Sequence, residues 1–134
     1  MGVTDTYLVG REKIREYASA IGERAPVCHE LEAARAAGFS DIVAPPMFAA
    51  VYSWRAMGPA VLDPEVGIDF SRLVHGAQDF TWHEPVVAGD EITTEAAFVE
   101  QVKRGDINVF TFSSRSVNQR GELVCEGTWT NFVR

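Results

Sequence analysis

Residues 44–57, APPMFAAVYSWRAM, decide the fold of this protein. Pro46 suits the first turn of a helix, where the missing N–H of a proline costs little. Residues 47–57 are apolar on nearly all sides, and a helix of this kind belongs in the core of a protein. We therefore predict a buried central helix over residues 47–57, with Gly58 and Pro59 beginning its exit.

The chain beyond this helix alternates between apolar and polar residues, which is the pattern of β-strands with one buried face. It predicts four strands over residues 72–83, 92–102, 107–118 and 122–133, with turns at residues 105–106 and 118–121. In the first of these strands, His75 and His83 fall on one face, and Phe80 and Trp82 fall on the other.

Ahead of the central helix, residues 6–9 indicate a short strand, and apolar residues recur at helical spacing from Arg11 until Gly22. Residues 30–37 have high helix propensity and stop at Gly38. One apolar helix with a long antiparallel meander is an α+β arrangement, and we expect a single domain, residues 1–134. Long strands leave a sheet edge to protect, and residues 91–134 contain no proline, so we predict a dimer joined along sheet edges.

Composition narrows the class of protein. Acidic residues outnumber basic ones, 19 to 12, which argues against a nucleic-acid binder and against adhesion to an anionic membrane. The two cysteines, Cys28 and Cys125, belong to no Cys-x-x-Cys pair and are predicted to be reduced. No signal peptide is visible, and no apolar stretch approaches the roughly 20 residues of a membrane span, so we expect a cytoplasmic protein.

The chain carries the motifs GERAPVCHE at 22–30, EAARAAGF at 32–39, VHGAQDF at 74–80, HEP at 83–85 and VAGD at 87–90. Together, these motifs resemble the hydratase segment of MaoC-like hot-dog proteins. The stretches VGREKIREYA at 9–18 and AP at 44–45 are closer still to the accessory subunits of actinobacterial (3R)-hydroxyacyl-carrier-protein dehydratases, which have a FAS1-like dehydratase domain. The resemblance covers nearly the whole chain and implies a hot-dog fold, in which a curled antiparallel sheet surrounds a central helix.

The resemblance also implies a chemistry. Its members form dimers whose sheets join edge to edge, with an acyl tunnel near the interface. Their substrates are thioesters on coenzyme A or on an acyl carrier protein, and the reaction adds or removes water across a trans-2-enoyl bond. No metal or bound redox cofactor is implied. The acyl-binding residues are then expected to be Pro45, Pro46, Met47, Phe48, Tyr52, His75 and Gly76.

Catalytic members of the family carry an acid–base pair in the pattern Gly-Asp-x-Asn-Pro-x-His. At the corresponding positions, this chain has Gly22, Glu23, Ala25, Pro26 and Cys28, so only the glycine and the proline are the same. Glu23 can do the chemistry of an aspartate from a shifted position, but an unperturbed thiol such as Cys28 titrates near ~8.5 rather than the ~6.5 of an imidazole. His29 follows one residue later, and a one-residue step on a helix turns the side chain by about 100°.

The backbone groups that would donate to the thioester oxygen also differ from those of catalytic members. Catalytic members carry His-Gly just ahead of the central helix, where a backbone N–H faces the thioester oxygen, but this chain has Pro45 and Pro46, which have no N–H. We therefore predict an accessory subunit that contributes the acyl tunnel, while a partner hot-dog subunit carries the Asp/His pair. The alternatives are an active homodimeric hydratase that uses Glu23 and His29, a non-catalytic acyl-thioester-binding or regulatory domain and, less favoured, a thioesterase.

Overall fold

The computed structural model describes residues 2–134, which form one curled antiparallel sheet packed around a helix. The strands are β1 (Gly2–Leu8), β2 (Leu73–Trp82), β3 (Glu91–Arg104), β4 (Ile107–Val117) and β5 (Leu123–Val133). The helices are α1 (Arg11–Ala20), α2 (Leu31–Ala36) and α3 (Ala49–Val61), with 3-10 turns at Pro26–Cys28, Pro46–Phe48 and Phe70–Arg72. The strand order is β1-β3-β4-β5-β2, so β1 and β2 are the edges of the sheet.

The central helix, α3, lies where the sequence predicts it, but its end and its exposure differ from the prediction. It continues through Pro59 to Val61 because Met57 and Val61 are buried in the core against the sheet, which holds the last turn in place. Trp54 is 52% exposed, and Met47 in the preceding turn is also exposed. The prediction that all sides of this helix are buried is therefore wrong, since the sheet leaves the side with Trp54 partly open.

The face assignment of β2 also needs correction, because a β-bulge interrupts the alternation. His75 pairs with Asn131 and Ala77 pairs with Thr130, so Gly76 is an extra residue in the strand. A Cβ atom on Gly76 would come within 2.2 Å of the Phe132 ring, so a glycine suits this position. The bulge puts His75 on the same face as Phe80 and Trp82, where its ring stacks on Trp129.

The sheet edges are not the strands that the sequence indicated. The proline-free strands β3, β4 and β5 lie inside the sheet, each hydrogen-bonded on both sides. The edge strand β2 carries two exposed apolar side chains, Val74 and Trp82, whereas the other edge strand, β1, packs against α3. Any pairing through a sheet edge must therefore use β1 or β2.

The remaining elements agree with the sequence to within one or two residues, apart from β1. This strand begins at Gly2 rather than residue 6, because it pairs with β3 along its whole length, from Gly2 with Ala97 to Leu8 with Glu91. Both cysteines are free, as predicted, and both are buried. Within residues 2–134, no helix is long and apolar enough to cross a membrane.

Candidate functional site

An apolar cavity lies where two segments that are distant in sequence meet. The segment ahead of α3 contacts the segment after β2, and the cavity between them has a volume of about 220 Å³. Its lining includes Val43, Pro45, Pro46, Tyr52, Trp82 and Pro85. A cavity of about 150 Å³ is large enough to bind benzene, so this one can accept a short hydrocarbon chain. Its almost wholly apolar wall is typical of a site for the apolar part of a small molecule.

Backbone hydrogen bonds hold the two walls of the cavity at a fixed separation. The N–H of Ala44 donates to the carbonyl oxygen of Val86 at 2.8 Å, and the N–H of Ala88 donates to Ile42 at 2.9 Å. The indole N–H of Trp82 donates to the carbonyl oxygen of Pro46 at 2.7 Å. The cavity is therefore part of the folded framework rather than a gap between loose loops.

In the turn ahead of α3, two backbone carbonyl oxygens already accept hydrogen bonds. The carbonyl of Pro45 accepts from the N–H of Phe48 at 2.9 Å, and that of Met47 accepts from the Tyr17 hydroxyl at 3.0 Å. Neither Pro45 nor Pro46 has an N–H to present to the cavity. These two prolines, at the position where the family resemblance implies an oxyanion donor, therefore present no backbone N–H to the cavity.

Tyr52 is the polar member of the buried cavity wall. The side chain projects from α3, packs against the Phe48 ring at 6.3 Å and is only 2% exposed. Its hydroxyl lies beside the Cys125 thiol of β5. Burial, followed by the neighbouring thiol, raises the pKa of Tyr52 well above its usual range, and burial raises the pKa of Cys125 to about 11. Both groups are therefore protonated at neutral pH.

Glu23 and His29 lie in a separate, polar depression of about 300 Å³, which Ser19 and Arg24 also line. A ring nitrogen of His29, Nε2, is 2.7 Å from the carbonyl oxygen of Glu23 and donates to it. The Glu23 carboxylate folds back to accept from the N–H of Ala25 at 3.3 Å. None of the residues described as lining this depression also lines the apolar cavity.

Cys28, at the position of the catalytic histidine in the compared pattern, is a buried thiol. Burial, followed by the charge of Glu23, raises its pKa. A thiol whose pKa is raised carries little thiolate at neutral pH, and the thiolate is the reactive form. Cys28 therefore supplies neither an imidazole nor an accessible thiolate.

Residues 1–127 match the protein family described as the FAS1-like, dehydratase domain region. The chain belongs to this family. A relative in Saccharopolyspora erythraea, a UPF0336 protein, is 43% identical over 132 residues, which cover 98% of this chain and 84% of that protein.

Solved structures show the same architecture. A chain of the C-terminally truncated HadBC complex of Mycobacterium tuberculosis, a (3R)-hydroxyacyl-ACP dehydratase, has a TM-score of 0.83 and 29% identity, covering 98% of this chain and 94% of that one. The R-hydratase PhaJ1 of Pseudomonas aeruginosa has a TM-score of 0.78 and 20% identity, covering 99% and 79%. The curled five-stranded sheet around α3 is thus the hot-dog fold, which confirms the fold that the sequence resemblance implied.

In this member of the FAS1-like dehydratase family, the expected acyl-binding residues occupy four different places. Pro45, Pro46 and Tyr52 line the cavity. Phe48 is fully buried and is not among the residues that line the cavity, and Met47 is exposed. His75 and Gly76 lie on the edge strand β2, outside the residues that line the cavity.

Sequence reasoning left out part of the cavity wall. The wall also includes Val43, Glu84, Pro85 and Val86. His83 lines it too, and its Nε2 is 3.1 Å from a carboxylate oxygen of Glu126. The HEP motif at 83–85 was the available signal, since it belonged to the resemblance. Its position opposite Pro45 depends on the pairing of Val43 with Val87, a contact between segments far apart in sequence.

Proposed function

We propose that this chain is one subunit of a hot-dog dehydratase that acts on (3R)-hydroxyacyl thioesters, or hydrates enoyl thioesters in the reverse direction. As a single hot-dog domain, it supplies a pocket for the acyl chain, while a partner hot-dog subunit supplies the Asp/His pair. The observation that carries this proposal is the separation of the apolar cavity from the depression that holds Glu23 and His29.

The cavity supports the acyl-binding role. Burying each methylene of an acyl chain against an apolar wall contributes about 0.8 kcal/mol of binding free energy. The wall formed by Pro45, Pro46 and Pro85 is stiff, since the proline rings fix the backbone angle φ. A preformed pocket of this kind binds a chain without first paying to order its own residues.

The acid–base groups support the accessory role. Dehydration requires a base that takes the proton from the α-carbon, an acid that protonates the departing hydroxyl, and donors that hold the thioester oxygen as it gains charge. In this chain Cys28 is a buried, protonated thiol, and His29 uses Nε2 to bond the carbonyl of Glu23. Pro45 and Pro46 offer no N–H to the thioester oxygen.

The surface beside the cavity supports a hot-dog partner. Edge strand β2 presents unpaired backbone groups together with the exposed side chains of Val74 and Trp82. Trp54, exposed on α3, packs against Trp129 of the adjacent strand β5. An exposed apolar edge of this kind is a template for pairing with another sheet. Trp82 belongs both to this edge and to the cavity wall, so a partner seated on β2 would bring its own residues close to the acyl chain. The structurally similar HadBC protein is itself a complex.

The carrier of the acyl group is coenzyme A or an acyl carrier protein. The net charge of −7 gives this chain no general attraction for an acidic carrier protein, so docking of such a carrier would rely on the partner or on a local basic patch.

Co-expression tests the proposal. The chain is produced together with a hot-dog protein that retains the Asp and His of the catalytic pattern, and hydration of crotonyl-CoA and longer trans-2-enoyl-CoA thioesters is measured. We expect the two chains to co-purify and the complex to be active. An Asp→Asn change in the partner should abolish this activity, whereas Glu23→Gln in this chain should leave it unchanged.

A complex that loses its activity through Glu23→Gln instead would assign the acid–base chemistry to this chain, as the homodimeric reading requires. That reading has one observation in its favour, since Glu23 and His29 do line the same depression. Binding of acyl thioesters without turnover, with every hot-dog partner supplied, would contradict the dehydratase assignment and leave an acyl-binding domain.

A further inference from the structure

The hydroxyl of Tyr52 is a buried polar group with a weak partner. Within residues 2–134, no nitrogen or oxygen atom forms a hydrogen bond with it, and its polar neighbour is the Cys125 thiol. That thiol is itself 3.7 Å from the carbonyl oxygen of Glu126. Buried tyrosine hydroxyls usually find a hydrogen-bond partner, and a thiol is a poor one. A ligand oxygen would therefore be a stronger hydrogen-bond acceptor for the Tyr52 hydroxyl than the Cys125 thiol is.

The position of Cys125 shows which end of the tyrosine meets the cavity. Cys125 is the register partner of Trp82 across β5 and β2, and the Trp82 side chain forms one wall of the cavity. Since the Tyr52 hydroxyl lies beside Cys125, it reaches the Trp82 side of the cavity rather than the α3 side. Tyr52 also lines the cavity directly.

Several other donors near the cavity are already engaged. The indole N–H of Trp82 donates to the carbonyl of Pro46, and the backbone N–H groups of Val43, Ala44 and His83 donate to other backbone carbonyls. The Tyr52 hydroxyl is a side-chain donor in a largely apolar wall, and a ligand could use it. Its raised pKa keeps the proton in place across the physiological range.

We propose that Tyr52 is a specificity-determining residue that donates a hydrogen bond to an oxygen atom of the acyl group in the cavity. The inference rests on the proposed acyl-binding function. The oxygen is either the thioester carbonyl or a hydroxyl substituent on the chain, and both are acceptors of the same kind. The cavity then prefers an oxygen-bearing acyl group to a plain hydrocarbon chain of equal length.

Three coenzyme A derivatives with the same chain length test the inference by isothermal titration calorimetry on the purified chain. S-butyl-CoA is a thioether with no oxygen on its chain, butyryl-CoA adds the thioester carbonyl, and 3-hydroxybutyryl-CoA adds the hydroxyl. Each is titrated into the wild-type protein, into Tyr52→Phe, and into the control Tyr7→Phe. Tyr7 packs against the same Phe48 ring but does not line the cavity.

We expect the wild-type chain to bind at least one oxygen-bearing ligand about 2- to 12-fold more tightly than the thioether, the range of a neutral hydrogen bond. Tyr52→Phe should remove this preference, and Tyr7→Phe should keep it. If the variant weakens butyryl-CoA and 3-hydroxybutyryl-CoA equally, the oxygen is the carbonyl. If it weakens the hydroxy ligand alone, the oxygen is the hydroxyl.

Two results would overturn the inference while the proposed function stands. The first is a wild-type protein that binds all three ligands equally, which needs no variant to interpret. The second is a preference that persists in Tyr52→Phe. A wild-type chain that binds none of the three ligands would instead contradict the acyl-binding role itself, and the inference with it.

Discussion

The indole nitrogen of Trp82 donates a hydrogen bond of 2.7 Å to the carbonyl oxygen of Pro46. This bond joins the end of edge strand β2 to the turn ahead of α3, and both residues line the apolar cavity. It makes the shape of the cavity depend on the position of the edge strand, and therefore on whatever pairs with that strand.

Replacing Trp82 with phenylalanine removes this bond and keeps an aromatic ring. We expect Trp82→Phe to lower the free energy of unfolding by about 0.5–1.5 kcal/mol, the net value of one hydrogen bond, and to weaken binding of short acyl thioesters. Urea denaturation and calorimetry measure the two effects. Trp54→Phe is the matched control, because Trp54 does not line the cavity, and it should leave thioester affinity unchanged. Unaltered stability and affinity in Trp82→Phe would show that the bond does not shape the cavity.

The exposure of Trp54 allows a prediction about the isolated chain and its complex. Fully buried aromatic side chains lose about 3–5 kcal/mol on truncation to alanine, and since Trp54 is 52% exposed, we expect Trp54→Ala to cost about half of that in denaturant titration. The same variant should also reduce co-purification with a hot-dog partner. Val99→Ala truncates another exposed apolar residue, on the inner strand β3, and should leave partner binding intact. Equal partner binding by both variants would place the partner elsewhere.

The bulge at Gly76 predicts a packing conflict. A Cβ atom there would meet the Phe132 ring, so Gly76→Ala should destabilise the protein by about 1–3 kcal/mol, the usual cost of overpacking. The double variant Gly76→Ala/Phe132→Ala should lose less stability than the sum of the two single variants, because the ring that clashes is gone. Gly10→Ala is the control, since nothing lies within 4 Å of its added Cβ. Strict additivity in the cycle would exclude the Phe132 contact as the cause.

The buried thiol of Cys125 predicts a loss of stability at alkaline pH. Its pKa is raised from 9.0 to about 11, chiefly by burial, so the unfolded chain loses the thiol proton at a lower pH than the folded chain. Deprotonation then favours the unfolded state, and the free energy of unfolding should fall as the pH rises from about 9 towards about 11. Cys125→Ala should show a shallower decline over the same interval in denaturant titrations. An identical decline in both proteins would assign it to other groups.

The sequence predicts the central helix and the strands because hydrophobic patterning is a local property of the chain. It wrongly predicts that Trp54 is buried, because this side chain is as apolar as its buried neighbours. Only the extent of the sheet decides which side of α3 is covered. Gly76 could have been taken as a bulge, but a glycine in a strand does not by itself indicate a two-to-one pairing. The first strand begins earlier than predicted because β3, far along the chain, provides its hydrogen bonds.

Part of the candidate site could be predicted because its motifs, like hydrophobic patterns, are local properties of the chain. The motif comparison located Glu23, Cys28, Pro45 and Pro46, and these belong to short segments with recognisable composition. It could not show that Glu23 and Pro45 line different depressions, because that depends on how the two segments pack in three dimensions. The role of Cys125 beside Tyr52 has no local signal, since the two residues meet only through the contact of β5 with α3.

The most direct test of the accessory-subunit account is the turnover of trans-2-enoyl-CoA thioesters by the purified chain alone, beside its Glu23→Gln and His29→Ala variants. The account predicts that all three proteins are equally inactive. The Nε2 of His29 is bonded to the carbonyl oxygen of Glu23, and Pro45 and Pro46 have no backbone N–H to stabilise the thioester oxygen. A wild-type chain that turns over at ordinary enzyme rates, roughly 1 to 1,000 per second, and loses its activity in either variant would contradict it.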